Sequence, residues 1–224
     1  MESVFYQNTT YWVLLVAIIM AVATLWLFWK GKANKRTLWT VGLIFTIAIL
    51  GMHWLFGGQN LLPSNLAGIW FYAIILGGAA LVVLLLELSS KKVMGNLSQE
   101  QLQIVQGLRV FVGGGFLMEG VLNVIPGWFS ILDGFFHIAS GFLALLSAVA
   151  FSKIWKERKP LLWLSNIIGL TDILVIVTGI CFLVWDDLGP YHNMNYVVFG
   201  AGPIFLWIHY NSIKKLLSNK TEKL

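Results

Sequence analysis

Covalent cross-linking is excluded at once. The chain of 224 residues has one cysteine, Cys181, so it offers neither an internal disulfide nor a cysteine-cluster metal site. Charge is also scarce. Only 11% of the residues are charged, against about 25% in an ordinary soluble domain. Proline is sparse, with 5 in the whole chain, so long helices meet few interruptions. The first twelve residues, MESVFYQNTTYW, lack a basic segment and a small-residue cleavage site, and read as the approach to a retained first span rather than as a signal peptide.

What is present is apolar. Hydrophobic residues make up 58% of the chain, and the mean hydropathy is +0.79. A membrane-crossing helix needs about 20 mostly apolar residues. Seven such segments can be drawn, at about 12–29, 38–56, 66–88, 104–125, 129–151, 161–185 and 195–213. The connections are short, and no soluble domain fits between them. The expected fold is all-α, a single transmembrane domain built as a bundle of seven helices.

The basic residues set the expected orientation. Lys30, Lys32, Lys35 and Arg36 fall in the first loop, and Lys91 and Lys92 in the third. Lys153, Lys156, Arg158 and Lys159 fall in the fifth, and Lys214, Lys215, Lys220 and Lys223 in the tail. The N-terminus and the even-numbered loops have none. By the positive-inside rule the N-terminus lies outside and the C-terminus in the cytoplasm. The pI near 9.4 therefore reflects membrane orientation and headgroup contact, not nucleic-acid binding. Tryptophans repeat the pattern as two belts, with Trp12, Trp54, Trp70, Trp128 and Trp185 near outer ends and Trp26, Trp29, Trp39, Trp155, Trp163 and Trp207 near inner ends. The expected partners are the lipid bilayer and a small ligand or ion.

Ionisable residues inside spans are costly, and they are usually paired or functional. Depth, at 1.5 Å per residue, sorts them into two groups. The outer group is His53, Glu119, Asp133 and His137, with Asp186, Asp187 and His192 in the loop above. Asp133 and His137 are i,i+4 and share a helix face. The inner group is Arg109 with Asp172, joined by Asn166 and with Glu87 or His209 below. Arg109 needs a carboxylate, and Asp172 is the candidate. The two groups are expected to be separate sites. His209 is expected to reach the inner interface.

Several chemistries fit the outer group. Imidazole and carboxylates at His137, Asp133 and Glu119 suit a zinc-type ion, although no HExxH spacing is present. The same residues suit a proton relay or polar ligand pocket, or a hydrogen-bonded structural network. A haem held by His53 and His137 is disfavoured because their depths differ by about 7 Å. Small residues cluster at Gly77–Ala80, Gly113–Gly115, Gly134 and Gly141 and favour close helix packing. Ser98 and Gln101 form a capping box at the cytoplasmic start of the fourth helix. Gly200-Ala-Gly-Pro203 is expected to kink or loosen the seventh.

Seven spans with this orientation resemble the microbial rhodopsins, but residues 195–213 contain no lysine, so retinal is disfavoured as a cofactor. Zinc-dependent seven-span hydrolases carry a histidine pair on the last helix, where this chain offers His209 alone. Gln106-Gly-Leu-Arg109, the small-residue-rich fifth span, Asn166-Ile-Ile-Gly-Leu-Thr-Asp172-Ile and Gly202-Pro-Ile-Phe-Leu-Trp-Ile-His209-Tyr-Asn-Ser212 together resemble a group of small, uncharacterised bacterial inner-membrane proteins. The resemblance covers roughly the last 120 residues. It implies a multi-pass protein of the bacterial cytoplasmic membrane and marks Arg109, Asp172 and His209. It carries no activity. The leading functional expectation is a polar intramembrane pocket that binds or moves a small ligand, ion or proton. A metal-dependent membrane-embedded enzyme with an outward-facing site and a structural or accessory subunit are the alternatives.

Overall fold

The computed structural model describes residues 4–57, 61–150 and 155–218, with the backbone alone at 4–8, 57, 150 and 155–157. Lys153, Lys220 and Lys223 of the basic pattern lie outside the described residues, as do the side chains of Trp155 and Lys156.

All regular secondary structure among the described residues is helical, with no strand. The elements are α1 (Val4–Lys30), α2 (Lys35–Met52), α3 (Gly68–Ser90), α4 (Gln99–Gln106), α5 (Arg109–Val121), α6 (Gly127–Leu145), α7 (Trp155–Phe182), α8 (Trp185–Leu188) and α9 (Gly202–Leu217). Turns of π-helix extend α2 over His53–Gly57 and α6 over Leu146–Ala150, and precede α9 over Val197–Ala201. Local chemistry places the boundaries. Asn34 caps α2 by accepting from the Thr37 N–H at 2.8 Å. The Ser98–Gln101 capping box opens α4. Lys32 and Asn123, at φ 62° and 55°, turn the chain after α1 and α5.

Six helices are long and apolar enough to cross a membrane: Thr9–Lys30, Lys35–Phe56, Gly68–Ser90, Gln99–Val121, Gly127–Val149 and Arg158–Phe182. The fourth is not one unbroken α-helix, because a turn at Gly107 and Leu108 separates α4 from α5. The last apolar segment divides as well. Its Gly-Ala-Gly-Pro stretch forms the π-turn, and Pro203 sits in the first turn of α9, where its missing N–H is harmless. At 16 residues α9 is shorter than the six.

The bundle embeds a set of polar and charged residues in an apolar core and exposes large apolar side chains on its surface. Leu43, Ile47, Leu50 and Val121 are 60, 62, 63 and 82% exposed, while Arg109, Asp133 and Asp172 are at 0%. An apolar surface around buried charges suits a lipid solvent. Contacts define two ends. The Asn96 amide donates to the Gly31 carbonyl at 2.9 Å, and Lys214 Nζ lies 3.0 Å from Glu87 Oε1, so the basic loops after α1 and α3 share an end with the close of α9. At the opposite end the Trp185 indole donates to the Leu66 carbonyl and His192 meets the Val124 carbonyl. Trp207 departs from the belt pattern. It is fully buried and stacks on Phe28 with ring centroids 6.0 Å apart.

The antiparallel pair α5 and α6 is the tightest contact. A Cβ on Gly113 would sit 2.5 Å from the Gly134 carbonyl oxygen and 3.0 Å from His137 Cβ. Glycine there lets the two backbones touch, which brings the polar face of α6 against α5.

Candidate functional site

Four helices deliver one buried cluster. α5 opens on Arg109, α6 presents Asp133 and His137 one turn apart, α7 brings Asp172, and α9 brings His209. His137 Nδ1 lies 3.0 Å from Asp133 Oδ1 and 2.8 Å from Asp172 Oδ2. Arg109 Nη2 donates to the same Asp172 Oδ2. Arg109 Nη1 donates to the Gly169 carbonyl at 2.9 Å and meets His209 Nε2 at 3.1 Å. The guanidinium also lies over the Phe205 ring, 5.1 Å from its centroid. Donor atoms of Asp133, His137 and Asp172 lie within 4.8 Å of one another.

Asp172 is therefore shared between Arg109 and His137. This overturns the separation of outer and inner groups by depth. Helical rise places a residue only along its own helix, and the packing of α6 on α7 brings His137 to Asp172 across the boundary that depth had drawn.

The hydrogen bonds run in one direction from Arg109. An arginine only donates, so His209 Nε2 accepts and Nδ1 carries the proton, which it donates to Asn166 Oδ1 at 2.9 Å. Asn166 Nδ2 then donates to the Leu162 carbonyl at 2.7 Å and to Ser212 Oγ at 2.9 Å. Ser212 Oγ donates to Gln99 Oε1 at 2.8 Å and accepts from Gln103 Nε2 at 3.0 Å. His209 is thus a fully buried neutral ligand of the guanidinium, not an interfacial residue. Glycine at 169 leaves room for this contact, since a Cβ there would overlap both His209 and Arg109 and force them to shift.

The remaining candidates separate. Glu119 is buried beside Thr9 and Asn193, close enough to Asp133 for their charges to interact. His53 is exposed and bonds Tyr196 Oη at 2.9 Å, so it does not join His137. Glu87 pairs with Lys214 and Asn211 instead of Arg109. Asp186 and Asp187 are exposed on α8. His192 lies in the loop after α8. Burial pushes its pKa down to about 4, opposed by its bond to the Val124 carbonyl.

Sequence reasoning missed the stripe Gln99, Gln103, Gln106 and the orienting role of Asn166. A signal was present. Gln99, Gln103, Gln106 and Arg109 recur every three or four residues, on one helical face.

Asp133 Oδ1 and Oδ2, Asp172 Oδ1 and His137 Nδ1 are buried with no hydrogen bond of good geometry among the described residues, although Nδ1 lies at ion-pair distance from both carboxylates. Buried carboxylate oxygens in that state carry a large desolvation penalty. They are acceptors facing a proton, a cation or a ligand's donor group. Asp133, His137 and Asp172 also supply the oxygen and nitrogen donors a divalent ion takes, but Arg109 already holds one oxygen of Asp172.

The family model described as Domain of unknown function (DUF8737) matches residues 65–217, and the chain belongs to that family. No curated protein and no solved structure matches it. The matched region contains every residue of the cluster.

Proposed function

We propose that this member of the family is a non-enzymatic multi-pass protein of the bacterial cytoplasmic membrane that binds and moves a proton, small ion or small ligand at Asp133, His137 and Asp172. In this reading α9 with its preceding π-turn is a seventh span, the N-terminus is outside and the basic end of the bundle is cytoplasmic. The joining of the basic loops at one end supports that orientation.

The observation that carries the reading is a charge imbalance. Ionised, Asp133 and Asp172 would set two negative charges against the single guanidinium of Arg109, all three groups being fully buried. A net charge at that depth is costly. A proton on His137, which touches both carboxylates, neutralises the site, and so does a bound cation. Loading and unloading that charge is the chemistry the arrangement suits. The amide and hydroxyl chain from His209 to Gln99 positions Arg109 and holds His209 neutral. Amides make a poor proton relay, so the chain acts as a support for the site.

Reconstitution into liposomes with a pH-sensitive dye tests this. An imposed pH gradient with potassium and valinomycin present should drive proton flux through the wild type and at least tenfold less through Asp172→Asn. Equal flux through both proteins and protein-free vesicles defeats the proton reading. The second reading, a metal-dependent enzyme, is favoured by the three donors within 4.8 Å and opposed by the Arg109 contact. Stoichiometric metal in the purified wild type would establish it in place of the first.

A further inference from the structure

His137 has a second face. Its Nδ1 is buried and lies at ion-pair distance from Asp133 and Asp172, while no hydrogen bond reaches Nε2 among the described residues. The ring is 6% exposed, and it lines a crevice of about 70 Å³ between α3, α5, α7 and α9. Phe116 stands edge-on to the imidazole, with centroids 5.5 Å apart at 86°. Ile75, Ala79, Ile176 and Phe205 form further walls. Among the lining residues His137 has the only polar side chain. Leu76 and Leu174, 44 and 55% exposed, place the crevice mouth on the apolar outer surface of the bundle.

A water molecule needs about 10–15 Å³ on this measure and two to four polar partners. The crevice has the room but offers one polar side chain, so it is poorly suited to water. It suits a molecule that is apolar over most of its body and polar at one point. Entry from the bilayer requires that molecule to be lipid-soluble. The chemistry of its polar point follows from the ring. With Nδ1–H directed at the carboxylates, a neutral His137 accepts at Nε2 and pairs with a hydroxyl. With the ring protonated, Nε2–H donates and pairs with a carbonyl.

We propose that this crevice binds a lipid-soluble ligand with an apolar body and a single hydroxyl- or carbonyl-bearing head, the head bonding His137 Nε2. The inference rests on the reading of Asp133, His137 and Asp172 as the working site, and it assigns that site a second opening, toward lipid. It makes no claim of electron transfer. Such a head comes either on a ring, as in quinones and quinols, or on a single chain, as in fatty alcohols.

Native mass spectrometry of the detergent-solubilised full chain tests it with three probes: decylubiquinone, oleyl alcohol and hexadecane. The wild type should retain decylubiquinone or oleyl alcohol, and the one retained identifies a ring or a chain head. Retention should fall at least tenfold in His137→Leu and in Ala79→Phe, which fills the crevice away from the polar cluster. Hexadecane should not distinguish wild type from His137→Leu. A melting curve reports folding, and if His137→Leu fails to fold, Ala79→Phe decides. Failure of both head-bearing probes to bind, or equal retention by wild type and Ala79→Phe, overturns the inference. Binding is read without a gradient. A protein that binds but passes no protons overturns the transport reading alone, and one that passes protons but does not bind overturns this inference alone.

Discussion

His137 Nδ1 lies 2.8 Å from Asp172 Oδ2, across the contact between α6 and α7. That oxygen also accepts from Arg109. One carboxylate oxygen thus ties the arginine on α5 to the histidine on α6, and both should respond when it is changed.

Removing one partner of the buried pair leaves the other uncompensated. Arg109→Met should destabilise the protein by about 3–5 kcal/mol, and Arg109→Met with Asp172→Leu should recover much of that loss. Chemical denaturation of the single and double variants in detergent closes the cycle. Additive losses would show that the pair does not act as a unit.

Gly169 and Gly114 should behave oppositely. Alanine at 169 drives a methyl into His209 and Arg109 and should cost about 1–3 kcal/mol. Around Gly114 a Cβ meets nothing within 4 Å, so alanine there should be neutral or stabilise by up to about 1 kcal/mol. Melting temperatures of the two variants, measured side by side, check the contrast.

Stability should fall on acidification through His192. Its Nδ1 accepts from the Met194 N–H at 3.2 Å, which leaves Nε2–H to face the Val124 carbonyl, so the folded ring is neutral. Burial holds its pKa at about 4, below the 6.5 of the unfolded chain. Between those values the unfolded state binds the extra proton. The contribution is therefore complete above about pH 6.5 and declines toward about pH 4, by at most about 1.4 kcal/mol per pH unit. Thermal melts from pH 7.5 to 5 should show a steeper loss for the wild type than for His192→Gln. Parallel pH profiles would assign the acid sensitivity elsewhere.

Arg109 should also decide metal affinity. While it holds Asp172, a divalent ion competes with a fixed positive charge. Arg109→Gln removes that charge, leaves Asp133, His137 and Asp172 in place, and should raise Co²⁺ affinity by at least tenfold. Cobalt d–d absorption in detergent measures this. Unchanged binding would mean that the three donors cannot converge on an ion.

The helical, apolar architecture was legible because hydrophobic runs of span length admit few alternatives. Ser98 and Gln101 announced the start of α4 for an equally local reason. The Arg109–Asp172 contact could be proposed from cost alone, since a membrane-depth arginine needs a carboxylate. The position of His209 could not. Near a helix end it looked interfacial, and only the packing of α9 against α7 brought it to Arg109 and Asn166. His53 misled in the same way, because lying toward the same end of the bundle says nothing about which side of it a residue faces.

The sequence by itself determined the all-helical, apolar class, the spacing of basic residues between the apolar segments and the set of charges expensive to bury. Each depends on local composition and on the price of a charge or an open backbone in hydrocarbon. Tertiary structure alone decided that Asp133, His137, Asp172 and Arg109 form one cluster, that His53 is outside it, and that His137 lines a crevice walled by apolar side chains. Those facts depend on helix rotation and on the glycine contact of α5 with α6, and neither is written in the depth of a residue along its own helix.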